Sequence, residues 1–209
     1  MDKWDGCIDL QHRPPMPSKG ITLYVGVDAS TKRDRAAVVN VYRDSDKKLA
    51  LGPKRFWQPT PDDPLDLEET IEKYLLELAG GYRIGEVLYD PFQFHRSAAT
   101  LQKSGLKLTE FPQTVPNLTA MSQNLYDLIE FGNLKLYPDK ELRREATMTV
   151  GKETGRGLRI VKEKSTHKID QIVGLGMACY GASQVKSRPA PMAFPLGIKT
   201  EASRILKRY

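Results

Sequence analysis

Three aspartates stand where a globular chain seldom places an isolated charge. Asp28 closes the apolar run ITLYVGVDAS (21–30), Asp90 closes GEVLYD (85–90), and Asp170 opens an apolar helical stretch between Ile169 and Ile172. If the two runs are adjacent parallel strands, both strand-end carboxylates emerge at one edge of a sheet. Burying one carboxylate among apolar groups is costly, and clustering three is worse, because like charges raise one another's pKa. A divalent cation answers both difficulties. Hard oxygen donors without a cysteine cluster suit Mg²⁺ or Mn²⁺ better than zinc. A fourth acid, Asp34, stands six residues after Asp28. Each acid also has a plain structural reading: Asp28 as the cap of the turn DASTKRD, Asp34 as hairpin polarity, Asp90 before Pro91 as an Asx turn, and Asp170 as a helix-start acid favoured by the macrodipole. The combination is what points to chemistry, since two apolar strands end in Asp beside a third acid in an apolar helix.

The elements that must position these acids follow from periodicity. Strands are expected over 21–30, over 35–42 (RAAVVNVY) and around 54–57, joined as an antiparallel meander by polar turns at 31–34 and 43–49. A helix then starts at Asp66, with Glu69 completing a capping box and Ile71, Leu75 and Leu78 at helical spacing, and it stops at Gly80–Gly81. The strand 85–90, a helix over 92–103, a short strand over 106–111, a helix over 117–131 and a short one over 139–146 come next. The segments 146–150 and 157–163 flank KETGRG as a protruding polar ribbon, and a largely buried final helix covers 166–183. The order implies an α/β domain with an antiparallel entry and a parallel extension. It divides the chain into a leader or linker (1–20, proline-rich and anchored by Trp4), a domain (21–183) and a basic tail (184–209).

Composition narrows the possible partners. The 209 residues are 40% hydrophobic and 28% charged, enough for a real core, and the net charge is +6. That charge is uneven: residues 140–168 hold nine Lys and Arg against four Glu, and residues 184–209 hold six against one. Basic segments on a slightly acidic body point to a polyanion. Cys7 and Cys179 form neither a metal-spaced pair nor a disulfide framework. Neither an 18-residue apolar stretch nor a signal-peptide pattern is present, so no membrane is expected and the default location is intracellular. No GxGxxG or GxxxxGK[ST] loop occurs, and GKETGRG has the wrong spacing for a phosphate loop.

The segments VGVDASTKRDRAAVVNV, EVLYDPFQF and KEKSTHKIDQIVGLGMACYGA together resemble the nuclease domain of the large terminase subunit of tailed bacteriophages. The resemblance covers roughly residues 21–183, and Lys168-Ile169-Asp170 opening an apolar helix is its most specific part. It implies a ribonuclease H-like mixed sheet with antiparallel first three strands, flanking helices and an auxiliary β-hairpin. It places the first-strand metal ligand on Asp28, the additional acid on Asp34, the middle-strand ligand on Asp90 and the late-helix ligand on Asp170. It further implies cleavage of viral DNA concatemers in the host cytoplasm, transiently at the procapsid portal, with double-stranded DNA, the small terminase subunit and the portal as partners. The packaging ATPase motifs of a full large subunit are not in this sequence, as expected of an excised domain or a separately encoded nuclease.

The corresponding mechanism is phosphodiester hydrolysis by two divalent ions, Mg²⁺ or Mn²⁺, about 3.5–4 Å apart. Asp28 bridges them, Asp90 and Asp170 complete one site each, and Lys168 is a further catalytic candidate beside the acid. Arg143, Arg144, Lys152, Arg156, Arg159, Lys162, Lys164 and His167 are the candidates for contact with the DNA backbone, which positions a duplex without reading it. Two alternatives use the same residues: another ribonuclease H-like nuclease (a junction resolvase or an RNA-strand nuclease), or a noncatalytic DNA-binding module of a packaging motor.

Overall fold

The computed structural model describes residues 1–31, 35–155, 157–164 and 166–185. Asp34, Arg156 and the tail from residue 186 lie outside the described residues. Six strands form one sheet: β1 (Thr22–Asp28), β2 (Ala36–Arg43), β3 (Leu49–Trp57), β4 (Arg83–Tyr89), β5 (Leu108–Glu110) and β6 (Leu134–Lys135), in the order β5-β4-β1-β2-β3-β6. β1, β2 and β3 pair antiparallel, as the meander requires, while β4 joins β1 in parallel and β5 joins β4 in parallel. The expected antiparallel entry and parallel extension are both present.

Alternation along the strands sorts the core into two faces. Leu23, Val25 and Val27 of β1, with Val87 and Tyr89 of β4, pack under α2 (Lys73–Gly81) and α3 (His95–Lys103). On the opposite face Ala37, Val39 and Val41 of β2 meet Ile172, Leu175, Ala178 and Cys179 of α6 (Asp170–Gln184). Leu88 of β4 meets Met177 of α6 and Leu118 and Met121 of α4 (Val115–Glu130). The chain opens with a one-turn helix, α1 (Asp2–Asp5), and α5 (Lys140–Thr147) follows α4. Trp4 and Cys7 are buried in the α6-side core, and Ile8 bridges to Leu136, so the first residues are packed onto the domain. Both cysteines are free.

The elements depart from expectation in several places, four of them for a local reason. β3 begins at Leu49, ahead of the expected 54–57, and runs through Gly52 and Pro53 where the ladder skips from Val39–Lys54 to Val41–Leu51. A bulge tolerates a proline that a regular ladder does not. Asp66 does accept from the Glu68 and Glu69 amides, but the chain then winds one π turn (Glu68–Glu72) before α2. α3 starts at His95 because Gln93 takes a left-handed φ of 63°. α6 starts at Asp170, so residues 166–169 are not helical. The ribbon β7 (Thr149–Thr154) and β8 (Gly157–Lys162) forms as expected. It does not stand free: the Ile160 amide donates to Ser122 Oγ of α4 at 2.8 Å.

Candidate active site

The parity of the strands decides where the acids point. Gly26 lies on the α6 face, and a Cβ built there would sit 2.0 Å from the Gly174 carbonyl oxygen, so only glycine lets β1 and α6 approach this closely. Asp28 is two residues further along the same strand face, and Asp170 is one turn earlier on the helix. Leu88 packs on α6, and Asp90 follows it by two residues at the end of β4. Val27 and Tyr89 are register partners in the parallel pair, so Asp28 and Asp90 leave neighbouring strands at the same end. Asp28, Asp90 and Asp170 accordingly line one cleft of about 660 Å³.

The three carboxylates differ in setting. Asp170 is only 5% exposed, while Asp28 and Asp90 are half-buried. Gln113 Nε2 donates to Asp28 Oδ1 at 3.4 Å. Asp90 Oδ1 accepts from the Phe92 amide at 3.2 Å, which is the Asx turn that its position before Pro91 allows, and that bond uses one carboxylate oxygen. Phe92 stands 70% exposed on the cleft wall, and Gln93 beside it accepts from Thr31 Oγ1 at 3.0 Å. The donor chemistry suits hard divalent cations: three carboxylates, with no cysteine or histidine among the described residues of the wall. Among the described residues, however, no three His, Cys, Asp or Glu side chains are grouped tightly enough to chelate one ion. The acids share a cleft without forming a closed cage.

The basic residues separate into four groups. Arg159 and Lys162 of β8 line the acid cleft itself. Lys152, the register partner of Arg159 on β7, is exposed, as are Arg144 and Lys164. His167 is half-buried with Nδ1 3.7 Å from Glu163 Oε2, and Lys168, also half-buried, directly precedes Ile169 and Asp170. Arg143 is engaged elsewhere: its guanidinium makes two 2.8 Å bonds to Asp5 and holds that carboxyl below the usual carboxylate range. It ties α5 to α1.

Sequence reasoning missed a second polar group directly behind the cleft. Glu145 of α5 and Gln171 of α6 are buried, and Arg35, Lys54, Asp139 and Glu141 surround them. Two signals were available. Glu145 falls three residues after Leu142 on the apolar face of α5, and Gln171 sits among apolar neighbours.

No protein-family model and no curated protein matches the sequence. Solved structures do. The large terminase of bacteriophage HK97 aligns with a TM-score of 0.70 at 19% identity, over 86% of this chain and 42% of that one. The large terminase nuclease of thermophilic phage G20c, with bound magnesium, aligns with a TM-score of 0.66 at 17% identity, over 87% and 95%. The human cytomegalovirus terminase nuclease domain, soaked in manganese with an inhibitor bound, gives 0.51 at 12% identity, over 86% and 91%. The chain thus spans less than half of the HK97 protein and nearly all of the G20c nuclease. Its fold is that of terminase nuclease domains, the ribonuclease H-like mixed α/β arrangement expected from the sequence.

Proposed function

We propose that this chain, having the fold of a terminase nuclease domain, is a metal-dependent endonuclease that hydrolyses DNA phosphodiesters during viral genome packaging. The observation that carries the reading is the shared cleft: acids separated by 62 and 80 residues in sequence line one space with Arg159 and Lys162. A magnesium-bound structural neighbour supports the choice of cation class.

Asp28, Asp90 and Asp170, with Asp34 as auxiliary, would hold the divalent cations, Mg²⁺ or Mn²⁺, two in number, with Asp28 the ligand common to both. Such ions lower the pKa of an attacking water and neutralise charge on the leaving oxygen. The chain's own residues do the rest. The carboxylates would hold the cations at one end of the β1–β4 pair. Arg159 and Lys162 attract the phosphodiester and hold it over the acids, and exposed Lys152, Arg144 and Lys164 extend the positive track. Lys168, two residues before α6, serves the scissile phosphate. Viral concatemers are the substrate, the small terminase subunit and the portal are the partners, and the work is done in the host cytoplasm at the procapsid.

Cleavage of supercoiled plasmid in Mg²⁺ and in Mn²⁺ tests this, comparing the wild type with Asp170→Asn. Metal-dependent nicking and linearisation by the wild type alone is expected. Equal activity of the two proteins, or preference for four-way junctions or RNA–DNA hybrids over duplex, would overturn it.

A further inference from the structure

We infer that Glu145 is a positioning residue for Asp170, setting the start of α6 from a different helix. The inference rests on the reading of Asp170 as a metal ligand. A helix normally satisfies its first amides with an oxygen of its own N-cap side chain, from Ser, Thr, Asp or Asn. The N-cap of α6 is Ile169, which offers none. Glu145 supplies the missing acceptor. Its Oε2 accepts from the Gln171 backbone amide at 2.8 Å, and its Oε1 accepts from the Gln171 side-chain amide at 2.7 Å. Gln171 is fixed on its other side, because Lys54 Nζ donates to its Oε1 at 2.6 Å. The residue so clamped directly follows Asp170.

The rest of the cluster holds the clamp rigid. Glu145 is 1% exposed, and a buried carboxylate is expensive unless a cation compensates it. Arg35, at the start of the strand that returns from the Asp28 turn, pairs with Glu145 at 3.1 Å and with Glu141 at 3.3 Å, and stacks 4.8 Å above the Phe56 ring. Lys54 pairs with Asp139 at 2.8 Å, and Asp139 in turn caps α5 through the Leu142 amide. The carbonyl of Glu145 accepts from Thr149 Oγ1, at the root of the ribbon that carries Arg159 and Lys162. Glu145 therefore ties together β2, the ribbon root and the first turn of α6. An apolar residue would fill the space at lower desolvation cost, but it would leave the α6 amide without an acceptor and the first turn free to fray. Asp170 would then lose its fixed place on the cleft wall.

Mn²⁺ titration by isothermal calorimetry tests this on the full chain, at a temperature where circular dichroism shows each variant folded. Glu145→Ala is expected to weaken Mn²⁺ binding roughly 10–100-fold, the range for removing a group that orients a ligand. Glu145→Gln keeps an acceptor for the Gln171 amide and should lose less. Leu142→Ala, which opens a cavity in the same helix while leaving the cluster's side chains in place, should keep wild-type affinity. Wild-type affinity in folded Glu145→Ala overturns the inference, and so does an equal loss in Leu142→Ala. If Glu145→Ala does not fold, Glu145→Gln and Gln171→Ala decide in its place, and wild-type affinity in both overturns it. Asp170→Asn separates the two layers. Unchanged Mn²⁺ binding in that variant removes Asp170 as a ligand and the inference with it, whereas loss in Asp170→Asn alone removes only the positioning role.

Discussion

At the scale of single residues, the site is governed by one absent side chain as much as by three carboxylates. Gly26 permits the close approach of β1 to α6 that puts Asp28 and Asp170 at the same end of the domain. Gly26→Ala forces backbone apart and should destabilise the fold by about 1–3 kcal/mol, the usual cost of overpacking, as read by urea denaturation. It should also lower cleavage in the fraction that remains folded, because the acids move with the helix. Asp28→Asn acts in the other direction on stability. It removes one of three like charges from a single cleft while nearly keeping volume and the reach to Gln113, so the metal-free melting temperature should stay level or rise. Cleavage should fall to background. A drop of several degrees in the metal-free protein would show that Asp28 is a structural cap and not one of a set of mutually repelling acids.

Among elements, the ribbon is where the proposed grip on DNA is tested. β8 leans on α4 through Ile160 and Ser122, and Arg159 and Lys162 belong to the wall of the acid cleft. A combined Lys152, Arg156 and Arg159 to Ala variant should weaken binding to unrelated duplexes by similar factors. For every phosphate that loses its cationic partner, the log-affinity against log-salt slope should shrink in magnitude by roughly 0.9, measured in Ca²⁺. An unchanged slope would make the ribbon a solvated loop. Strands β1, β2 and β4 were legible because continuous apolar runs bounded by turns admit few other readings, and their terminal acids carried the site with them. Other features depend on partners remote in sequence and were not legible. The start of α6 is set by Glu145, 26 residues away. β3 continues through Gly52-Pro53 only because a bulge absorbs them. The pairing of Arg143 with Asp5, 138 residues earlier, has no local signal. Two-residue β6 has no periodicity to read.

For the molecule as a whole, a mixed sheet with helices on both faces gives the acids a rigid edge, and the N-terminal residues close the α6-side core. Trp4 is 7% exposed there, so Trp4→Ala should cost about 3–5 kcal/mol by denaturant titration while leaving the chemistry of the folded protein intact. Among the described residues no helix is long and apolar enough to cross a membrane. Everything proposed for this fold turns on one cleft holding the divalent ions that cut DNA. The most direct test is an anomalous difference map from crystals soaked in Mn²⁺. Two peaks about 4 Å apart are predicted among Asp28, Asp90 and Asp170. A map with no peak in that cleft, or with manganese bound only elsewhere on the protein, would contradict it.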